Sequence, residues 1–240
     1  MTLRNWDKLP PELQTDAVRP YYDSLRKKQF SLLAKRIFDI VVSAVMLLIL
    51  SPVFLVLAIA IKLDSPGPVF YRQVRVTQFG KQFRIFKFRS MVQNADKGSL
   101  VTVGGDSRIT RVGKVIRKCR LDELCQLIDI LRGTMTFVGT RPEVPKYVEQ
   151  YAPEMMATLL LPAGVTSLAS ILYKDEDRLL EGADDVDAVY ISKVLPGKMC
   201  YNLRAIKEFS FWGDIKLMFM TAFAVLGKDY TAEEEKETVG

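Results

Sequence analysis

The longest apolar run, Ile37 to Ile61 (IFDIVVSAVMLLILSPVFLVLAIAI), carries one charge, Asp39, near its start. A straight helix of that length extends roughly 37 Å against a hydrocarbon core of about 30 Å, so the run reads as a membrane segment. Ser51-Pro52, just past the middle, favours a kink, because proline removes a backbone donor and clashes with the preceding turn. Basic residues flank both ends, Lys27, Lys28, Lys35 and Arg36 before and Lys62, Arg72 and Arg75 after, so the positive-inside rule assigns no crossing orientation. Two geometries stay open on these residues. One is a kinked spanning helix, the commoner arrangement. The other is a hairpin that dips in and returns, with Ser51 offering its hydroxyl to backbone groups freed at the break.

Outside this run the pattern is that of a globular domain. Residues 1–34 are mixed and amphipathic, and 64–91 open with a Pro/Gly turn and continue as short, alternating, aromatic-rich strands. A polar loop covers 92–110, one helix starts near Arg111, and another near Asp122 carries the stripe Leu121, Leu124, Ile128 and Leu131. Residues 132–142 form an irregular loop, 143–160 are helical with breaks, 161–173 read as turn then strand, and 174–210 are mainly helical. The apolar segment 211–227, interrupted by Asp214 and Lys216, is either an interfacial or a core helix. The divisions are therefore an N-terminal extension (1–34), a membrane segment (35–62), a catalytic-sized domain (63–227) and a disordered acidic tail (228–240).

Composition narrows the chemistry. A net charge of +6 fits nucleic acid, an anionic membrane surface or a phosphorylated substrate. Cys119, Cys125 and Cys200 are odd in number and lack CxxC spacing, so they read as structural thiols in a reducing compartment. The chain has no histidine, which removes Ser-His-Asp and Cys-His catalysis and imidazole metal sites together. Carboxylates, Lys/Arg and a hard cation remain.

Arg108, Arg111, Lys114, Arg117 and Arg120 recur every third residue ahead of the acidic pair Asp122-Glu123. Charge alone reads this as a solvated or lipid-facing basic helix. The acidic pair sharpens it: cations neutralise a diphosphate, while a carboxylate attacks phosphorus or holds Mg²⁺. Adjacent residues on a helix point roughly 100° apart, so the two carboxylates need separate roles. An unperturbed Asp, with a pKa of about 3.9, is an ionised nucleophile at neutral pH and a poor general base.

KRIFDIVVSAVMLLILSPVF, GKQFRIFKFRSM, RVGKVIRKCRLDELCQLIDILRGTMTFVGTRP and SFWGDIKLMFMTAFAVL together resemble the bacterial sugar transferases, the monotopic polyprenyl-phosphate sugar-1-phosphate transferases. The resemblance runs from about Lys35 to Leu226. It implies an α+β, mainly helical fold: a re-entrant membrane helix hairpin broken at Ser51-Pro52, and a compact cytoplasmic domain with short strands and interfacial amphipathic helices. It implies a site on the cytoplasmic face of the bacterial inner membrane, with both termini cytoplasmic. Asp122 is then the nucleophile that takes a sugar phosphate from a UDP-sugar, releasing UMP. Polyprenyl phosphate accepts the phosphosugar and so starts a surface glycan such as an exopolysaccharide or lipopolysaccharide. Mg²⁺ is implied as cofactor, with Asp122 and Glu123 at its site and Glu123 assisting. Lys87, Arg117 and Arg141 hold phosphate oxygens, and Asp214 supports. The partners implied are a UDP-sugar, polyprenyl phosphate and membrane lipids, with no nucleic acid; a homodimer is left open.

The chain departs from the family pattern at Cys125 (usually Pro), Thr140 in GTRP (usually Pro), Thr77 (usually Gly) and Ser167 in PAGVTSLAS, where Gly-Trp is usual. None removes the expected nucleophile. Two other readings stand beside this one on the residues alone: a membrane-tethered basic adaptor or nucleic-acid-binding module, and a hydrolase of nucleotide diphosphate sugars.

Overall fold

The computed structural model describes residues 3–93, 95, 108–173, 185–225, 227 and 230. Within them the chain is mainly helical, with two small sheets. Residues 3–34 pack into the body. Leu9, Leu13, Val18, Tyr22 and Leu25, from the N-terminal turns and α1 (Arg19–Arg26), are buried with Val76, Leu159, Leu160, Ile206 and Phe209.

The long apolar run forms α2 (Gln29–Ile49) and α3 (Ser51–Asp64). Among the described residues no single helix is long and apolar enough to cross a membrane. The pair α2 and α3 meets that test together and is bent by 60° at Leu50. The break has the cause read from the sequence: Pro52 opens α3, and the Ser51 hydroxyl donates to the Leu48 carbonyl at 2.8 Å. One side of each helix packs inward, while Ile37, Val41, Val45, Leu48, Leu55 and Leu63 stay exposed.

Polar groups lock both ends of this pair to the body. Near the start, Lys35 Nζ donates to the Val138 carbonyl at 2.8 Å and to Asp214 Oδ2 at 2.5 Å. Arg36 donates to the carbonyls of Ile130 (2.6 Å) and Leu131 (2.9 Å), the last turn of another helix, where cations meet the negative dipole end. Asp39, the lone charge of the run, accepts from Thr136 Oγ1 at 2.8 Å and from the Phe137 N–H at 3.3 Å. At the far end, Arg89 donates to the carbonyls of Ile61, Ser65 and Pro66, and Asp64 accepts from the Val112 N–H at 2.9 Å.

The first sheet is an antiparallel hairpin of β1 (Phe70–Val76) and β2 (Gln82–Phe88), paired from Phe70↔Phe88 to Val76↔Gln82. After it come α4 (Arg111–Lys118), a 3₁₀ turn at Leu121–Glu123, and α5 (Gln126–Arg132). The second sheet pairs β3 (Met135–Val138) with β4 (Ala163–Thr166) in parallel, with α6 (Pro145–Val148) in the connection. The chain continues as α7 (Leu168–Leu172), α8 (Val186–Val189), a π-helical turn at Tyr190–Val194, α9 (Leu195–Lys207) and α10 (Phe211–Val225).

Four sequence expectations change. The irregular loop expected over 132–142 holds β3 (Met135–Val138), which pairs with β4. The strand expected through 161–173 ends at Thr166, and Leu168–Leu172 is helical, because Ser167 caps it by accepting the Ser170 N–H at 3.0 Å. The helix expected near Asp122 begins at Gln126, and Asp122 lies in the tighter turn before it. Cys125 is buried as a structural thiol, whereas Cys119 and Cys200 are exposed. Most of the expected polar loop, residues 174–184 and most of the acidic tail lie outside the described residues.

Asp39→Ala leaves the Thr136 hydroxyl and the Phe137 N–H without their buried acceptor. It is expected to cost about 2 kcal/mol and lower the Tm of the detergent-solubilised protein by about 4–8 °C, read by thermal denaturation.

Candidate active site

The hairpin supplies one wall of a cavity. Tyr71, Gln73 and Arg75 are alternate residues of β1 and so share a face, and Lys87 of β2 is the cross-strand partner of Tyr71. All four line a cavity of about 320 Å³, which Arg117 and Asp122 complete from the other side.

The second wall depends on where α4 starts. Thr110 caps it, accepting the Gly113 N–H at 2.9 Å, and the Thr110 N–H donates to the Ser90 carbonyl at 3.1 Å. A Cβ at Gly113 would lie 2.0 Å from the Ser90 carbonyl oxygen, so only glycine lets the helix approach the end of β2 this closely. Arg117, near the end of α4, thus faces Lys87 across the cavity, while Arg111, Lys114, Lys118 and Arg120 are exposed. The basic run is a solvated face with two members turned to the cavity, Arg117 and Arg108, the latter donating to the Ala95 carbonyl at 2.7 Å. Arg120 takes the left-handed conformation at φ 54°, uncommon for a residue with a Cβ, and turns the chain into the Leu121–Glu123 turn.

The two carboxylates then separate. Asp122 faces the cavity. Glu123 turns to Arg141, whose Nη2 donates to Oε1 at 2.5 Å and Nη1 to Oε2 at 3.4 Å, and to Lys87, whose Nζ donates to Oε1 at 3.3 Å. Arg141 is placed by close contact between β4 and the chain leaving β3. A Cβ at Gly164 would lie 2.2 Å from the Gly139 backbone, Gly139 N–H donates to Thr166, and Gly164 N–H donates to Thr140.

Electrostatics follow the geometry. Burial pushes the Asp122 carboxyl up, with Lys87 and Arg117 opposing and Glu123 adding to the rise. Burial acts the same way on Glu123, but Arg141 and Lys87 outweigh it and hold that carboxyl well below the usual range. Burial lowers the Lys87 ammonium, against the pull of Glu123. Neighbouring acids pushed in opposite directions have different tasks. The buried Asp122 gains most from a cation.

Mg²⁺, implied by the resemblance, is commonly held by one or two carboxylates together with substrate phosphate oxygens. Asp122, a carboxylate facing a cation-lined cavity fit for phosphates, suits that mode. Glu123 Oε1 accepts from both Lys87 and Arg141, while among the described residues Oε2 accepts only from Arg141, at 3.4 Å, so Oε2 is the Glu123 oxygen with acceptor capacity left for a metal. Among the described residues no group of three or more metal-ligating side chains gathers.

Of the expected site residues, Lys87, Arg117 and Asp122 share the cavity, and Glu123 and Arg141 meet behind it. Asp214 lies elsewhere, with its partner Lys35, on a second cavity of about 520 Å³ that Thr140, Ser167 and Trp212 also line. Ser51 and Pro52 occupy the helix break. The sequence reading missed Gln73 and Arg75, whose signal is the alternation in FYRQVRV.

The chain is similar to known proteins of one family. Residues 30–228 match the family described as bacterial sugar transferase. Over 196 residues the chain is 38% identical to the UDP-N-acetylgalactosamine-undecaprenyl-phosphate N-acetylgalactosaminephosphotransferase of Aeromonas hydrophila, covering 80% of this chain and 43% of that protein. It is 37% identical over 217 residues to the UDP-glucose:undecaprenyl-phosphate glucose-1-phosphate transferase of Escherichia coli K12, covering 88% and 44%. It is 35% identical over 218 residues to the undecaprenyl-phosphate galactose phosphotransferase of Salmonella typhimurium, covering 84% and 42%. The match thus spans less than half the length of these relatives.

The ion pair behind the cavity makes a prediction of its own. Glu123→Gln and Arg141→Gln each destabilise the protein, and the double variant loses less than the sum of the two by about 1–3 kcal/mol in a thermal or chemical denaturation cycle.

Proposed function

This chain belongs to the bacterial sugar transferase family, and on that premise we propose that it transfers a sugar-1-phosphate from a UDP-sugar to polyprenyl phosphate through a phosphosugar held on Asp122. The observation that carries the reading is the unequal acidic pair: Asp122 alone faces the cation-lined cavity, while Glu123 is neutralised behind it. The relatives' names support a UDP-sugar donor and undecaprenyl phosphate as acceptor, and they differ in the sugar, which stays unspecified for this chain.

In the first half-reaction an Asp122 carboxylate oxygen attacks the sugar-bearing phosphorus. The bond from that phosphorus to the bridging oxygen breaks, and the oxygen keeps its electron pair and leaves with UMP. Lys87 and Arg117 hold the oxygens of the attacked phosphate as charge shifts among them, so catalysis rests on positioning and electrostatics. Arg141 holds Glu123 and, through it, Lys87. Mg²⁺ at Asp122, with Glu123 adjoining, supplies further charge neutralisation when bound. In the second half-reaction an oxygen of the acceptor phosphate attacks the same phosphorus, and Asp122 is released. Product and acceptor stay membrane-bound.

We further propose that α2 and α3 enter and leave the cytoplasmic leaflet of the bacterial inner membrane on one side. Support comes from the anchors: Lys35, Arg36 and Asp39 at one end, and Ile61, Asp64, Ser65 and Pro66 at the other, all bond to the same globular body. A helix crossing the bilayer between them would carry one set of partners to the far side.

The test is UMP release from a panel of UDP-sugars, with and without undecaprenyl phosphate and Mg²⁺. The transferase gives polyprenyl diphosphate sugar, dependent on the acceptor; a hydrolase gives free sugar phosphate without it. Asp122→Asn is expected to lower UMP release on the order of 10⁴-fold or more while sedimenting with membranes as wild type does. Undiminished turnover by that variant removes Asp122 as nucleophile, and silence of the wild type across the panel removes the transferase reading.

A further inference from the structure

Most cations around the site are spent on protein carboxylates. Lys87 and Arg141 share Glu123, Lys35 pairs with Asp214, and Lys198 lies 3.6 Å from Glu143. Arg89, which also lines the cavity, donates to carbonyls at the end of α3. Two guanidinium groups on the cavity wall stand apart because they form no ion pair among the described residues: Arg117 from α4 and Arg75 from β1. Arg75 donates from Nε (3.1 Å) and Nη2 (2.7 Å) to Gln73 Oε1 and from Nη1 to the Pro142 carbonyl at 3.1 Å. These acceptors are neutral. They fix the plane of the guanidinium in a partly desolvated wall. Burial there weighs against its charge more than the nearby Glu143 carboxylate, which also faces Lys198, offsets it, an arrangement that costs free energy until an anion arrives.

The hairpin register orders the cavity wall. Tyr71 lies opposite Lys87, Gln73 opposite Ile85 and Arg75 opposite Phe83, so along the shared strand face Arg75 sits beyond Lys87, toward the Pro142 carbonyl, with Gln73 between.

We propose that Arg75, oriented by Gln73, is the subsite for the nucleotide-side phosphate, the group that departs as UMP. This rests on the transferase reading and deepens it. As the bond between the sugar-bearing phosphorus and the bridging oxygen breaks, that oxygen takes the electron pair and the departing phosphate gains a negative charge. A fixed guanidinium there is worth more in the transition state than in the ground state. Lys87 and Arg117, nearer Asp122, serve the phosphate that stays on the enzyme.

The experiment compares UMP and uridine as competing ligands for the full chain in a membrane mimic, and then follows single-turnover UMP release from a UDP-sugar. Wild type is expected to prefer UMP over uridine by about 10- to 100-fold, the size of a charge-assisted bidentate contact. In Arg75→Gln that preference falls to within about threefold while uridine affinity holds, and single-turnover release slows by about 10²-fold or more. Arg75→Lys, which keeps the charge but loses the fork, falls between the two, and it decides the matter should Arg75→Gln not fold. A wild-type preference for UMP in the substituted protein overturns the subsite, as does an equal loss of UMP and uridine, which marks a structural role. Wild-type protein that releases no UMP from any UDP-sugar overturns the transferase reading and the subsite together.

Discussion

Glu123 joins three pieces of chain that are far apart in sequence: β2 through Lys87, the turn after Arg120 through itself, and the loop between the second sheet and α6 through Arg141. Two cations on one carboxylate in a partly buried setting leave a net positive pair, and that excess lies beside the cavity Asp122 faces. The arrangement neutralises enough charge to be stable and leaves enough to attract phosphate. Removing the carboxylate strands two cations, so its role in the fold and its role at the site cannot be separated by simple truncation. A double-mutant cycle isolates the pairwise part.

The same logic governs the apolar hairpin. An apolar segment could associate with a globular domain by contact alone, yet here it is pinned by Lys35, Arg36 and Asp39 on one side and by Arg89 and Asp64 on the other. Asp64 receives the Val112 N–H in the first turn of α4, whose last turn carries Arg117. Arg89 follows β2, which carries Lys87. The helix pair and the two cation-bearing elements of the cavity are thus one rigid unit. For the proposed reaction between a soluble and a lipid substrate, this fixes the distance between the apolar surface and the carboxylate proposed to serve both.

Local pattern and motif made much of this legible. The break at Ser51-Pro52, the strands of the hairpin and the start of α4 follow from proline chemistry, alternation and capping. Asp122, Lys87 and Arg117 were reached through the resemblance, since charge alone favoured a solvated basic face, and three of that run's residues, Arg111, Lys114 and Arg120, are exposed as such a face would be. What stayed hidden depends on long-range pairing. Nothing local reveals that Asp39 would meet Thr136, or that residues 3–34 would pack with Leu159, Leu160 and Phe209. The helix at Leu168–Leu172 was misread because apolar residues after a turn fit either element until the Ser167 cap decides.

The departures from the family pattern gain physical content in the same way. Thr77, where glycine is usual, donates its hydroxyl to the Thr134 carbonyl at 2.6 Å and accepts the Ala163 N–H at 3.1 Å, bridging the end of β1 to both strands of the second sheet. Cys125, where proline is usual, is buried against Ile61, Phe88 and Ile116, and its thiol donates to the Asp122 carbonyl at 3.4 Å. Burial pushes that thiol far up, so it stays protonated and serves as a donor and filler, not a nucleophile. Proline at such a position restricts the backbone after the acidic pair through its ring. Here packing on α3 and a weak hydrogen bond impose a similar restraint from the side chain. The turn holding Asp122 is therefore supported through the bent apolar helix pair, and its precision depends on α3 staying docked.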